Sequence, residues 1–542
     1  MLDLHASSVQ LGSFLGGNLL HVVAYRKGEW DLLVPKLYND QSQDGLAASV
    51  RVVAFLGAYH ALGIALSMVT YRILFHRLTS FPGPFLARVS NFYVTALSSK
   101  RLHLFAEVEA LHKQYGDYVR LGPSELSIID PNALTAIYAA KSPCSKGPFY
   151  NVLHPRMALN MIRDRPEHTK RRKDWDRGFS SRALRDYEPR VVKYTDQLVA
   201  HIQSTQGTPV NVSDWFNFYS FDVMGDLAFG KSFNMLRDGI KHYFMNCLHA
   251  DMQNIGYLAH LTWLFPFLKI TPVLNTEHLK FWSFCTQQVA ERRKIKPDRP
   301  DIFSWLLESF EANVYTKAAE LNLIGDAYLI VVAGSDTTAA TLTCLFYELA
   351  THRAKLEKLQ TEIDAYFKEV ETPSNASLSK LPYLDGVINE TLRLHPPTPS
   401  GLQRQTPPEG LTVGNVFIPG NTLVQVPMHT LFRDDRSFQN ASEFIPERWT
   451  TQSELTKNVS VFTPFSIGLY SCVGKQLALT ELRHVISQLV HRFDIEVAPG
   501  QSTEAFLEGK KDTFTLALGP LNLVFTERKH SSSNHSTTTS VV

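Results

Sequence analysis

Residues Leu321–Ala350 are apolar on almost every helical face, and no other stretch constrains the fold as strongly. A helix with no polar face has no side to give to water, so it belongs through the centre of the protein. In its middle lies Ala333-Gly334-Ser335-Asp336-Thr337-Thr338. Gly334 costs about 1 kcal/mol of helix propensity, and Thr337 and Thr338 can turn their hydroxyls onto carbonyls one turn back. A buried Asp336 beside that weak point is expensive unless it is used or paired. One reading is a kinked core helix with a satisfied polar pocket. The other is a helix opened to admit a diatomic ligand and water, with hydroxyl and carboxylate passing protons inward.

A second stretch, Phe465-Ser466-Ile467-Gly468-Leu469-Tyr470-Ser471-Cys472-Val473-Gly474, sets one cysteine between two glycines. From Lys475 onward Ala478, Leu482, Val485, Ile486, Leu489, Val490 and Phe493 repeat with the period of one helix face. The stretch therefore reads as a Gly-rich loop opening a buried helix. Gly468 and Gly474 allow something flat to approach the main chain closely. Backbone N–H groups and the positive end of the helix dipole favour a Cys472 thiolate there, a soft anionic ligand suited to a haem iron. The plainer alternative is a buried free thiol.

The loop resembles the haem-binding loop of the cytochrome P450 family, Phe-x-x-Gly-x-Arg-x-Cys-x-Gly. Phe465, Gly468, Cys472 and Gly474 match in order and spacing, while Tyr470 stands where the family usually has arginine. Ala333–Thr338 is similar to the family's oxygen-activation motif. By that resemblance Thr337 acts at the bound oxygen, Asp336 relays protons from solvent, and Gly334 lies against the cofactor. Glu390-Thr391-Leu392-Arg393 gives Glu-x-x-Arg, a pattern nearly worthless alone, but Pro446-Glu447-Arg448-Trp449 follows it downstream. The family pairs these elements, so the resemblance implies a buried structural network of Glu390, Arg393 and Arg448 beneath the haem. It also implies that His168 and Arg172, in the basic run HTKRRKDW, reach haem propionates, with Arg404 nearby. Tyrosine can donate one hydrogen bond but supplies no charge, so His168, Arg172 and Arg404 carry more of the neutralisation.

Composition excludes other classes. Of 542 residues 44% are apolar and 20% charged, with net charge +2, so no basic excess points to nucleic acid. Five scattered cysteines, with no Cys-x-x-Cys, argue against a disulfide framework or a zinc site and for a reducing compartment. Near the N-terminus, Leu11–Tyr25 and Val52–Phe75 are apolar, and the second is long enough to span a bilayer. Arg72, His76 and Arg77 at its far end put the remainder in the cytosol. Phe81-Pro82-Gly83-Pro84 makes a stiff turn between anchor and body. Tyr115–Ile129 reads as two short strands, the chain to about Lys380 as mostly helical with breaks near Pro143–Pro155 and Pro266–Pro272, and Gly401–Leu431 as short strands again.

The expected organisation is a membrane-anchor region over 1–80 with one or two transmembrane helices, a haem domain over 81–529, and a disordered tail over 530–542. The resemblance implies a mainly α fold with a small β region, haem b sitting between the long central helix and the Cys472 loop. It implies a monooxygenase of the endoplasmic reticulum that draws electrons from NADPH through NADPH–cytochrome P450 reductase. One atom of O2 enters a lipophilic small molecule, with fungal relatives pointing to secondary metabolism. A P450-like isomerase or dehydratase, or a haem-thiolate sensor, are the alternatives. Lys457, Lys475, Arg483 and His484 are candidates to face an acidic electron donor; by the resemblance Tyr243, Phe244, Tyr257, Trp263, Phe265 and Phe267 fall in the lid helices, and Thr398–Leu402 and Phe514–Leu516 in pocket-lining turns, the alternative being that many of them pack core or touch membrane.

Overall fold

The computed structural model describes residues 12, 14–16 and 47–529 apart from 274, 296 and 298, with the backbone alone for 47–56. The candidate segment Leu11–Tyr25 lies almost wholly outside the described residues, and the expected tail over 530–542 lies entirely outside them. The body is mainly helical with a minor β region.

Helix α1 (Ala47–Thr70) continues through one wider turn, Tyr71–Phe75, and leaves Leu62, Leu66, Leu74 and Phe75 exposed. Gly57–Phe75 is long and apolar enough to cross a membrane. The turn after it is fastened to the body: Pro82 accepts from the Arg120 N–H at 2.8 Å, and the buried Arg120 guanidinium donates to the carbonyls of Leu78 and Pro123.

Strands β1 (Tyr118–Gly122) and β2 (Glu125–Ile128) form the expected hairpin. With β3 (Ser145–Lys146), β4 (Arg404–Gln405) and β5 (Leu423–Gln425) they make a five-stranded sheet in the order β1-β2-β5-β4-β3. That order sets Lys146 directly opposite Arg404. The expected break at Pro266–Pro272 is instead a short helix, Phe265–Ile270, because proline in a first turn gives up no intrahelical bond.

Five further helices position the site. They are α2 (Arg165–Gly178), α3 (Val212–Phe229), α4 (Tyr243–Leu258), α5 (Lys317–Thr351) and α6 (Pro382–Leu394). Helix α7 (Lys475–Arg492) follows the cysteine loop. The apolar helix α5 is capped by Thr316, whose hydroxyl accepts from the Ala319 N–H, and is buried for most of its length. It is helical throughout, so the opening considered at Gly334 is absent from the backbone. Gly334 has another function. A Cβ there would lie 2.6 Å from Met224 Sδ, so the missing side chain lets α3 pack against α5.

Candidate active site

Between α5 and the cysteine loop lies a cavity of about 290 Å³. From α5, Leu329, Ile330, Ala333, Gly334, Thr337 and Thr341 form one wall, and Phe465, Tyr470, Cys472, Val473 and Gly474 form the facing one. Helix α2 closes a side with His168, Arg172, Trp175 and Phe179, spaced as one helix face. Its start is fixed by Asp164, whose carboxylate accepts from the Glu167 N–H at 2.9 Å.

The loop is held by its own backbone. The Cys472 N–H donates to Phe465 O at 2.9 Å, Ser471 N–H to Gly468 O at 3.1 Å, and Arg172 Nη1 to Ser471 O at 2.8 Å. Cys472 is open to the cavity. Burial pushes its thiol up, against the downward pull of the Gly474 N–H, Arg172 and the Lys475 N–H. The expected donor cradle is present but does not outweigh burial. The two glycines differ. At Gly474 the nearest atoms to an added Cβ are 3.8 and 4.0 Å away, leaving its cavity side open to a flat group. Gly468 lies outside the cavity lining, with φ +72°, and its Cβ would fall 2.4 Å from Tyr138 O. Contact with the chain at Tyr138–Ala140 requires that glycine, rather than an approaching cofactor.

On α5, Thr337 faces the cavity and its hydroxyl donates to Ala333 O at 2.7 Å. Thr338 Oγ1 has no partner, against the expectation that both threonines bond backwards. Asp336 is nearly buried and lies behind the helix rather than in the cavity wall.

Sequence reasoning missed Lys146. It is buried in the cavity wall, and Nζ donates to the carbonyl of Asn160 at 2.6 Å. Arg404 is also buried and donates to Tyr150 Oη at 3.1 Å. Lys146 Nζ sits 4.4 Å from the centre of the Tyr470 ring and the Arg404 guanidinium 5.0 Å, while the His168 ring meets it edge-on at 4.7 Å. No carboxylate is hydrogen-bonded to Lys146 or Arg404 among the described residues. Burial, then Arg404 and Arg172, holds the Lys146 amine well below its usual range. Burial, then Lys146, Arg172, Arg171 and Arg404, pushes His168 down to about 3. Arg172, by contrast, is already paired with Asp176 Oδ1 at 2.8 Å.

These residues fit haem. His168 Nδ1, Arg404 Nε and Tyr470 Oη are buried without a protein partner, beside cations lacking a counter-ion. Such a cluster is costly until anionic oxygens fill it. Two propionates supply that charge, apolar walls suit the ring, and Cys472 supplies the soft ligand.

Glu390 accepts from Arg393 at 2.8 and 2.9 Å, from Arg448 Nε at 2.9 Å and from the Ile445 N–H at 2.9 Å. Trp449 Nε1 adds a fifth bond at 2.9 Å, which sequence reasoning did not assign. Arg393 and Arg448 spend their remaining donors on carbonyls of 432–455, so the whole network is buried and satisfied.

Two expectations fail. Arg483 and His484 are buried, bonded to Asp385 at 2.9 Å and Glu188 at 2.9 Å, so they present nothing to a donor, whereas Lys457 and Lys475 are exposed. Tyr243, Tyr257 and Trp263 are on the surface, and Phe244 packs against Phe284 in the core. None of the six aromatics lines the cavity; Phe514, Thr398 and Leu402 do.

The sequence matches the family Cytochrome P450 over residues 82–525. It is 51% identical over 536 residues to Cytochrome P450 monooxygenase FCK2 of Fusarium pseudograminearum (strain CS3096), covering 95% of this chain and 97% of that protein. It is 49% identical to Cytochrome P450 monooxygenase orf5 of Eupenicillium brefeldianum, over 90% of this chain and 99% of the other. Identity to Tryprostatin B 6-hydroxylase of Aspergillus fumigatus is 40%, over 88% and 86%.

Proposed function

The chain belongs to the cytochrome P450 family, and from that premise we infer how its own residues divide the work of a haem-thiolate monooxygenase. Haem b supplies the reduction of O2 and the insertion of one oxygen atom, with NADPH as the electron source. Cys472 holds the iron, and Lys146, His168, Arg404 and Tyr470 hold the propionates. Thr337 presents a hydroxyl to the reacting side. Asp336 carries protons toward it from behind the helix. Glu390, Arg393 and Arg448 keep the loop in place and take no part in the reaction.

The observation that carries this reading is Cys472 facing Thr337 across an apolar cavity edged by unpaired buried donors. Leu329, Ile330, Met224, Leu402 and Phe514 favour a lipophilic substrate. Relatives named as monooxygenases and as a 6-hydroxylase support a role in secondary metabolism. Over 1–80 the chain serves as membrane anchor, over 81–529 as haem domain, and Arg72 and Arg77 beyond the span favour a cytosolic body on the endoplasmic reticulum. The reductase docks at Lys457 and Lys475, so reversing the charge of Lys475 slows reduction and flattens its salt dependence.

The test is the spectrum of the reduced, CO-bound protein. Wild type gives a thiolate-type band and Cys472→Ala loses it; a wild-type band without thiolate character overturns the assignment.

A further inference from the structure

Behind α5, on the side away from the cavity, Asp336 Oδ1 lies 3.4 Å from His249 Nε2 on α4. The Asp336 side chain is 10% exposed and that of His249 34%. Among the described residues His249 is the one side chain hydrogen-bonded to Asp336. Other titratable groups nearby are engaged elsewhere. On α4, Asp251 is paired with His278 at 3.2 Å; on α3, Asp222 accepts from the Leu236 N–H at 2.8 Å; on α5, the Tyr328 hydroxyl reaches Met252 Sδ at 3.9 Å. The nearest ring is Phe221, which meets His249 edge-on at 6.4 Å.

We propose that His249 is the solvent end of the proton route through Asp336. The proposal rests on the monooxygenase reading and names the residue that feeds its acid. A nearly buried carboxylate has little water of its own, and a partly exposed histidine beside it supplies what it lacks. A proton from bulk acid binds Nδ1, the ring nitrogen not bonded to Asp336, and the Nε2 proton passes to the Asp336 carboxylate. The ring is neutral before and after, the carboxylate becomes a carboxylic acid, and no electron moves. One residue along, Thr337 is on the cavity side of the same helix, so the acid is delivered next to the reacting space. His249 is a positioning and supply residue: it is hydrogen-bonded to Asp336 and is not itself part of the cavity wall.

The experiment compares wild type, H249Q and H249A holoenzymes with the reductase, using as probe an alkoxycoumarin chosen by its spin-state shift. Glutamine keeps a donor toward Asp336 but cannot take up a second proton. Both variants are expected to keep the thiolate-type CO band, to lose about a hundredfold in turnover, the low end of what a proton carrier contributes, and to show a larger solvent deuterium isotope effect. In ¹⁵N-histidine-labelled, CO-bound protein, the imidazole signal missing from H249Q reports His249 directly. That signal shifts when Asp336→Ala removes its hydrogen-bond partner. Wild-type turnover and isotope effect in H249Q overturn the proposal, leaving a contact between helices. A His249 signal indifferent to Asp336→Ala overturns it equally. Loss of thiolate character in wild type instead sinks the monooxygenase reading.

Discussion

At the scale of the residue, Tyr470 changes the cofactor site less than its replacement of arginine suggests. Lys146 stands against its ring, so positive charge reaches the same place from a strand more than three hundred residues away in sequence. Lys146→Met is therefore expected to speed haem loss about tenfold or more, since a hydrogen bond to a charged group is worth about 1.5–3 kcal/mol. Lys146→Arg should restore retention, and haem transfer to apomyoglobin measures both. Glu481 is a second isolated group. It lines the cavity and is fully buried, Oε2 has no partner, and burial alone pushes its carboxyl well above the usual range. The folded protein thus keeps a proton that the unfolded chain releases above about pH 4.5. Stability from this group is complete below that pH and falls as pH rises toward the folded value. Glu481→Gln removes the loss, so its melting temperature should exceed wild type more at pH 8 than at pH 5. Equal differences at both pH values would show that the carboxyl is ionised in the fold.

Elements impose stricter demands than single side chains. Gly468 closes the turn of the cysteine loop against the end of the Ala133–Tyr138 helix, and its added Cβ would meet backbone at 2.4–2.6 Å. Backbone cannot swing aside, and φ +72° adds strain for any other residue. Gly468→Ala should cost more than about 3 kcal/mol and yield protein without haem, read by the ratio of haem to protein absorbance. Gly334→Ala differs, because its Cβ meets the flexible end of Met224. Helix propensity gains about 1 kcal/mol, Met224 shifts, and the melting temperature changes little while the cavity narrows. The Glu390 network behaves as one unit. Arg393→Ala leaves Glu390 buried against a lost partner, a cost of about 3–5 kcal/mol, and should abolish haem incorporation.

Across the whole molecule, two stretches with exposed apolar side chains meet: Phe85, Leu86 and Phe92 follow α1, Trp263, Ile270 and Val273 follow α4, and Asn91 Nδ2 donates to His260 O at 3.0 Å between them. This side of the body is suited to lie on lipid. A chain lacking residues 1–75 should still float partly with liposomes, and replacing Phe92, Trp263 and Ile270 with serine in that chain should release it to the soluble fraction. Flotation unchanged by the three serines would assign the retained binding to another face.

Spacing along the chain determined whatever depends on local order. A helix apolar all round had to be buried, a cysteine two residues before glycine at a helix start had to sit in a tight loop, and Glu390 and Arg393 had to share a helix face. From these the central helix and the cysteine loop were legible, as were the first hairpin and the short strands after Gly401, whereas the burial of Glu390 with Arg393 and Arg448 followed only from the resemblance. Tertiary structure decided which distant residues meet. Lys146 reaches Tyr470 through the pairing of β3 with β4, and His249 reaches Asp336 from a separate helix, α4. Arg483 and His484 looked exposed because charge suggests a surface, yet Asp385 and Glu188 come from other helices to bury them. Gly468 proved to be the place where another segment of the chain leaves no room for a side chain, while Gly334 lies in the cavity wall and also against the flexible end of Met224. Periodicity reports the face a residue occupies; only packing supplies the neighbour across from it.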